Sequence, residues 1–280
     1  TDIPIPPDYI LGPGDNIRLF LFGNVNEEYS LQISREGQIF LPEVGVIFLA
    51  GMTFSEAKSV VNDRVLNQMI GTNAVITLGQ LRSMRVFILG DAYQPGSYIV
   101  SGLSTLSNAL FLSGGVSLSG SLRNIEHKRG GRTIAKFDLY DLLLKGDTTN
   151  DTRLQDGDVV YIPPIQKRVS VTGEVNRPGM YEIKANENIE DLISYSGGLK
   201  SSADLKRVSI DTINEGRLSL EGINLNDKEG MKKLPKNGDI VHIFPVINNY
   251  DDAILLSNYL RNQGFVAWKE GIKVADLIEP

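Results

Sequence analysis

The chain repeats itself, and a repeat of this length constrains its fold more than any other feature. The stretch Val169-Ser-Val-Thr-Gly-Glu-Val-Asn-Arg-Pro-Gly-Met-Tyr181 restates Val86-Phe-Ile-Leu-Gly-Asp-Ala-Tyr-Gln-Pro-Gly-Ser-Tyr98. Gly90 and Gly173, Pro95-Gly96 and Pro178-Gly179, and Gly114-Gly115 and Gly197-Gly198 all lie 83 residues apart. The spacing slips to 81 between Asp156-Gly157-Asp158 and Asn237-Gly238-Asp239, as an insertion or deletion in a loop produces. A third start follows, with Gly264 falling 85 residues after Gly179 and Asp276-Leu277-Ile278 on Asp191-Leu192-Ile193. That copy stops inside its helix, so the chain is expected to be a fragment of a longer protein.

Each copy has one physical plan. Val169 and Val171, like Val86 and Ile88, point one way from a strand. Proline fixes φ and glycine accepts φ > 0, so Pro95-Gly96 and Pro178-Gly179 read as type II turns. The chain returns through Tyr181 and Ile183, and Asn188 caps a helix whose Ile189, Leu192 and Ile193 correspond to Leu106, Ala109 and Leu110. The paired glycines then end the helix in a left-handed conformation. Further strands include 206–211 and 239–244. Strand, strand, helix, strand, strand describes a β-grasp, a short sheet wrapping one helix.

Ahead of the repeats, Ile17, Leu19 and Leu21 alternate along a strand after a glycine- and proline-built turn. Leu31 and Ile33, the turn Arg35-Glu36-Gly37 and the return 38–42 read as a hairpin. A strand over 45–50 leads to Thr53, which caps a helix with Glu56 closing the capping box. Ala57, Val60, Val61, Val65 and Leu66 form that helix's apolar stripe, and a strand over 74–78 follows. This first α+β domain is expected to pack rigidly on the first repeat, because no Gly/Ser-rich linker separates them.

Composition excludes several classes. A net charge of −6 and a pI near 5.1 disfavour nucleic acid, which is not expected as a partner. The absence of cysteine removes disulfides, thiolate chemistry and Cys-ligated zinc. No apolar run approaches the ~20 residues of a membrane helix, and no signal-like segment opens the chain, which reads as starting at a maturation boundary or similar cut.

Tyr9-x-Leu11-Gly12-Pro13-Gly14-Asp15-x-Ile17 resembles the opening of the polysaccharide-export domain. Glu36-Gly37-x-Ile39-x-Leu41-Pro42-x-Val44-Gly45, Ala50-Gly51-Met52-Thr53 and Glu56-Ala57 resemble its second half. Val171 to Tyr181, and more loosely Ile88 to Tyr98, carry the β-grasp pattern Val-x-Gly-x-Val-x-x-Pro-Gly-x-Tyr. Together they resemble the outer-membrane polysaccharide export (Wza-like) family, in which that domain precedes soluble-ligand-binding (SLBB) β-grasp repeats. The resemblance implies an α+β architecture with the export domain at 1–83, SLBB repeats at 84–165 and 166–246, and the start of a third at 247–280. It implies Gly12, Gly14, Asp15, Gly37, Pro42, Gly45, Gly90, Pro95, Gly96, Gly173, Pro178 and Gly179 as structural motif positions. It also implies a periplasmic, ring-forming, non-catalytic conduit at the outer membrane of a Gram-negative bacterium. The implied partners are a polysaccharide, further copies of the chain and an inner-membrane export component. Family members usually carry a lipidated N-terminal cysteine and a C-terminal amphipathic helix, neither of which occurs in this sequence.

His127 and His242 lie in or beside strands with no triad pattern, so a structural role is expected. Asp156-Gly157-Asp158 and the acidic stretch 147–151 lack the calcium-loop pattern and read as turns. The glycines match neither the dinucleotide nor the Walker pattern. Lys128, Arg129 and Arg132, like the basic residues of 228–236, read as solvated loops, with contact to an acidic glycan as the minor alternative. Tyr93, Tyr98, Tyr181 and Trp268 can stack on sugars, although the equivalence of Tyr98 and Tyr181 favours a role in the fold. No metal, cofactor or catalytic residue is expected. The competing function is a soluble-ligand module that binds a small cofactor, such as a cobalamin, or a glycan.

Overall fold

The computed structural model describes residues 6–247, 252–256 and 264–277. The chain divides into two compact units, Thr1–Gln166 and Lys167–Pro280. Among the described residues no helix is long and apolar enough to cross a membrane, which says nothing of β-barrels.

The first unit opens with β1 (Asn16–Gly23) and β2 (Glu27–Gln32), followed by β3 (Gln38–Leu41) and β4 (Gly45–Phe48). Helix α1 (Phe54–Gln68) and β5 (Thr72–Leu78) follow. β1 sits between β2 and β5, while β3 and β4 form a separate two-stranded sheet. The hairpin expected across Arg35-Glu36-Gly37 is therefore corrected: β2 pairs with β1, and β3 pairs with β4. Ile17, Leu19, Leu21, Ile39, Leu41 and Ile47 meet Phe54, Ala57, Val61 and Val65 of α1 in one core. Leu66, expected in the helix stripe, is exposed instead. Thr53 forms the expected capping box, accepting from Glu56 N while Glu56 reaches back to Thr53 N.

The same unit continues through β6 (Ser83–Gly90), β7 (Gly96–Ser101), α2 (Leu106–Leu112), β8 (Ile125–Arg129), β9 (Arg132–Phe137), α3 (Leu139–Lys145) and β10 (Val159–Ile162). The sheet order is β7-β6-β10-β8-β9, and β6 pairs with β10 in parallel. Leu106, Ala109 and Leu110 of α2 pack beneath it with Val86, Ile88, Ile125, Phe137 and Val160.

In the second unit β11 (Arg168–Gly173), β12 (Gly179–Glu182), α4 (Ile189–Tyr195), β13 (Ala203–Asn214), β14 (Arg217–Ile223), α5 (Lys228–Lys232) and β15 (Ile240–Pro245) repeat the plan. Their order, β12-β11-β15-β13-β14, matches strand for strand. Local bonds match as well. Tyr98 donates to Gln94 O and Tyr181 to Arg177 O, each at 2.6 Å. Ser113 and Ser196 each donate to the helix carbonyl three residues back, at 2.7 Å. Beyond the second repeat, β16 (Ala253–Leu256) pairs with β17 (Gly264–Ala267), and α6 (Val274–Leu277) follows. Ile278 of the expected third helix lies outside the described residues.

One turn differs from expectation in both copies. Gly96 and Gly179 do not take positive φ; they begin β7 and β12, and a Cβ there would rest at ordinary contact distance from the rings of Tyr98 and Tyr181. The left-handed positions are Gly90 and Gly173, with φ of 81° and 86°. A Cβ on either would collide with the carbonyl oxygen of Ile162 or Ile243 on the neighbouring strand. Glycine is therefore demanded at Gly90 and Gly173, by close strand approach and by φ, and not at the positions that follow the prolines. The helix-ending pairs Gly114-Gly115 and Gly197-Gly198 do take positive φ, as expected. Urea titration of Gly173→Ala is expected to show a loss of at least ~2 kcal/mol, whereas Gly179→Ala should stay within about 0.5 kcal/mol of the parent.

Candidate functional site

The opening motif of the export domain folds around one carboxylate. Asp15 is fully buried and accepts from Tyr9 Oη at 2.8 and 3.0 Å, from Gly12 N at 2.9 Å and from Arg82 N at 2.9 Å. Arg82 Nη1 reaches it at 2.7 Å and also donates to Ile10 O at 3.2 Å. Burial, and then the bond to Asp15, pushes the Tyr9 phenol far above its ordinary value, so it stays a donor. Gly12 is small because a Cβ would stand 2.5 Å from Arg82 Nη1, and Gly14 turns the chain with φ of 95°. The motif thus fixes the segment that leads into β6. Leu103 packs against the first core, and a Cβ on Gly102 would stand 2.5 Å from the Tyr9 hydroxyl.

Beside this knot lies a recess of about 390 Å³, lined by Pro13, Gly14, Asn16, Gln32, Gln80, Leu81, Arg82 and Ser83. Gly37, Pro42 and Gly45 lie away from it, in the β3–β4 region. Gly37 has φ of 83° and a position where Cβ would meet Ala50 Cβ at 2.6 Å. Pro42 opens the β3–β4 turn, and Gly45 ends it with φ of 89°. Asp15→Ala strips partners from a buried hydroxyl, two amides and a guanidinium at once. A cost of about 3–5 kcal/mol is expected in chemical denaturation.

A second buried carboxylate organises the first repeat. Asp158 is fully buried; His127 Nε2 lies at 2.7 Å, Arg129 donates through Nε and Nη2 at 2.8 Å, and Gln155 N donates at 2.7 Å. His127 Nδ1 meets Thr152 Oγ1 at 2.7 Å. Burial alone would raise the Asp158 carboxyl, but the bonds from Arg129, Gln155 N and His127 outweigh it and hold the carboxyl below its ordinary value. The Arg129 guanidinium is raised by its bond to Asp158.

Of the basic residues that could contact a glycan, Arg129 is therefore committed to Asp158, with its side chain 37% exposed. Lys128 pairs with Glu126 at 2.9 Å and lies 4.4 Å from the centre of the Tyr161 ring. Arg132 is exposed at the start of β9, opposite Arg129. None of the three lines the recess beside Asp15.

A lowered carboxyl adds stability at and above its unfolded value, here about 3.8, and that stability disappears as pH falls through the folded value. The stability gap between the parent and Asp158→Asn is therefore expected to be full at neutral pH and to close below pH 3.8. Urea midpoints across pH 7 to 2.5, values on the order of the carboxylate range, read this directly.

His242 repeats the connectivity of His127 on an open sheet face, with Nδ1 2.8 Å from Thr172 Oγ1 and Nε2 3.1 Å from Asp211 Oδ2. Hydroxyl, imidazole and carboxylate in this order match the connectivity of a catalytic triad. Here they lace the adjacent strands β11, β15 and β13, and for His127 the same set is sealed in the core. Sequence reading missed both sets, because each histidine's partners lie 25 to 70 residues away.

Residues 3–78 match the family described as polysaccharide biosynthesis/export protein, and residues 84–162 and 168–217 each match an SLBB domain family. The chain is thus an export domain that leads β-grasp SLBB domains. The polysialic acid transport protein KpsD of Escherichia coli is 36% identical over 171 residues, covering 60% of this chain and 30% of KpsD. The EPS I polysaccharide export outer membrane protein EpsA of Ralstonia solanacearum is 29% identical over 149 residues, covering 52% of this chain and 39% of EpsA. The matched stretches span about a third of the length of these relatives. By its domains and their order, the chain is similar to outer-membrane polysaccharide export proteins.

Proposed function

We propose that this chain forms the periplasmic part of an outer-membrane channel that exports capsule or exopolysaccharide, acting as a ring-forming conduit and not as an enzyme. The observation that carries the reading is the order of modules: an export domain, then two β-grasp units of one topology. KpsD and EpsA, named for polysaccharide transport and export, support it. The domains are taken as 1–83, 84–165, 166–246 and a further repeat beginning at 247.

Tandem modules of one shape present related surfaces at intervals, so neighbouring copies can meet through several modest contacts. Linking such contacts raises affinity by roughly 10² to 10⁴ over any one of them. Contacts of this kind are heterologous, and they close into a ring when the rotation between subunits permits. A lumen lined by polar loops suits a hydrated sugar chain, because transport requires release as well as contact. The partners are the polysaccharide, further copies of the chain and an inner-membrane export component; no cofactor or nucleic acid takes part.

The test uses the full-length protein in detergent. Sedimentation is expected to show a closed oligomer, and deletion of residues 1–83 is expected to abolish polysaccharide at the cell surface. A monomer at high concentration, together with intact export after the deletion, overturns the reading.

A further inference from the structure

We propose that the recess beside Asp15 is a subsite for one sugar residue, held through its hydroxyls and indifferent to the sugar's charge. The inference rests on the conduit reading and adds to it a place where the glycan touches the export domain. A volume of about 390 Å³ lies within the range of small-ligand pockets, roughly 300–1,000 Å³. Its side-chain chemistry sets it apart from a typical apolar pocket. Asn16 comes from β1, Gln32 from the end of β2, and Gln80 and Ser83 from the segment entering β6.

A carboxamide carries an acceptor oxygen and a two-proton donor in one plane. Adjacent sugar hydroxyls likewise offer both roles, so each side group can answer the other twice. The protein uses only part of this capacity. Asn16 Oδ1 accepts from Ser30 Oγ at 3.0 Å, while its amide protons bond no described residue. Gln32 Nε2 donates to Gly14 O at 3.3 Å, which leaves its oxygen. The Gln80 side chain makes no hydrogen bond to a described residue, while its backbone oxygen receives Asn16 N at 3.0 Å.

The frame is rigid. Gly14 N donates to Ile33 O at 2.9 Å and Gly79 N to Asn16 O at 2.8 Å. A Cβ on Gly79 would stand 2.5 Å from Asn16 Oδ1, so glycine there leaves the carboxamide its place. Preorganised groups of this kind lose little entropy when a ligand arrives.

Charge-blindness follows from Arg82, the single charged residue of the lining. Its guanidinium is 2.7 Å from the buried Asp15 carboxylate, so the pair presents almost no net charge to the recess. An acidic sugar gains little Coulomb attraction there, and a neutral one loses nothing. No aromatic ring lines the recess to add stacking. Binding is therefore weak, about millimolar, as a moving chain requires.

The experiment is NMR of the side-chain amides in the ¹⁵N-labelled chain. It is titrated with a neutral probe, isomaltohexaose, and an acidic one, an α2,8-linked sialic acid hexamer, at about 50 and 500 mM salt. Saturable shifts of the Asn16, Gln32 and Gln80 amides with both probes are expected, with affinities within about threefold of each other and unchanged by salt. Gln32→Ala combined with Gln80→Ala, two exposed positions, is expected to weaken both by at least about fivefold. Absence of shifts from both probes overturns the proposal. So does binding restricted to the acidic probe and lost in high salt, or binding that the double variant leaves intact. Ring assembly by the full-length double variant separates the two ideas: a closed ring without the shifts sinks the subsite alone, whereas a monomeric parent sinks the conduit reading itself.

Discussion

The parallel pairing of first and last strands closes each β-grasp unit, and the rest of the unit is arranged to deliver it. Parallel neighbours cannot be joined by a tight turn. Everything between β6 and β10, or between β11 and β15, is one long crossover. The last strand is placed by its own entry turn. Asp156 Oδ1 accepts from Arg85 N as Asn237 Oδ1 accepts from Arg168 N, each at 2.9 Å. Gly157 N and Gly238 N donate to the carbonyls of the same two arginines at 2.8 Å. Asp158 and Asp239 then tie down the turn's own amides, from Gln155 and Lys236, at 2.7 Å. A short motif of Asp or Asn, then glycine, then Asp thereby fixes the register of two strands far apart in sequence, and the close passage of Gly90 and Gly173 beneath Ile162 and Ile243 follows from that register.

Register also explains the polar knot in the first repeat. Pairing aligns His127 with Val160 and Ile210 with Val241, so the two residues hold equivalent core positions. Both are buried, but an imidazole carries two nitrogens that an isoleucine does not. Leaving them unpaired in the core would cost ~1–3 kcal/mol each. Thr152 on one side and Asp158 on the other satisfy them. Arg129 supplies the charge that keeps Asp158 ionised. The cluster is thus the consequence of one core substitution, and its resemblance to a catalytic arrangement needs no chemistry to explain it.

The repeat, its helices, the Thr53 and Asn188 caps and the Gly-Gly terminators were legible because each depends on residues within a few positions of one another. What failed depended on distant neighbours. Pro178-Gly179 looks like a turn with a left-handed glycine, yet the demand for glycine falls on Gly173, through a strand about 70 residues away. The alternation of Leu31 and Ile33 continues into Gln38 to Pro42, but β2 and β3 face different partners. Helix α3 has a local signal that went unread: Asp138 accepts from Tyr140 N at its start, and Gly146 is left-handed at its end. The recess was not legible, since Asn16, Gln32 and Gln80 share no pattern and meet only when β1, β2 and the segment after β5 converge.

The two repeats diverge where burial releases them. At matched positions on the open sheet face, Phe87 and Leu89 of the first stand where the second has Ser170 and Thr172. The same register sets Lys128 beside Tyr161 in one repeat and Asp211 beside His242 in the other, a cation over a ring in place of a hydrogen-bonded pair. Apart from His127, positions facing the helix remain apolar in both, because each fully buried aliphatic side chain contributes roughly 1.5–3 kcal/mol, and the loss of several exceeds the whole stability of a small domain. The open face carries no such constraint, so a duplicated module can keep its fold while its surfaces become unlike. Unlike surfaces on a shared scaffold let successive domains of one chain take different neighbours.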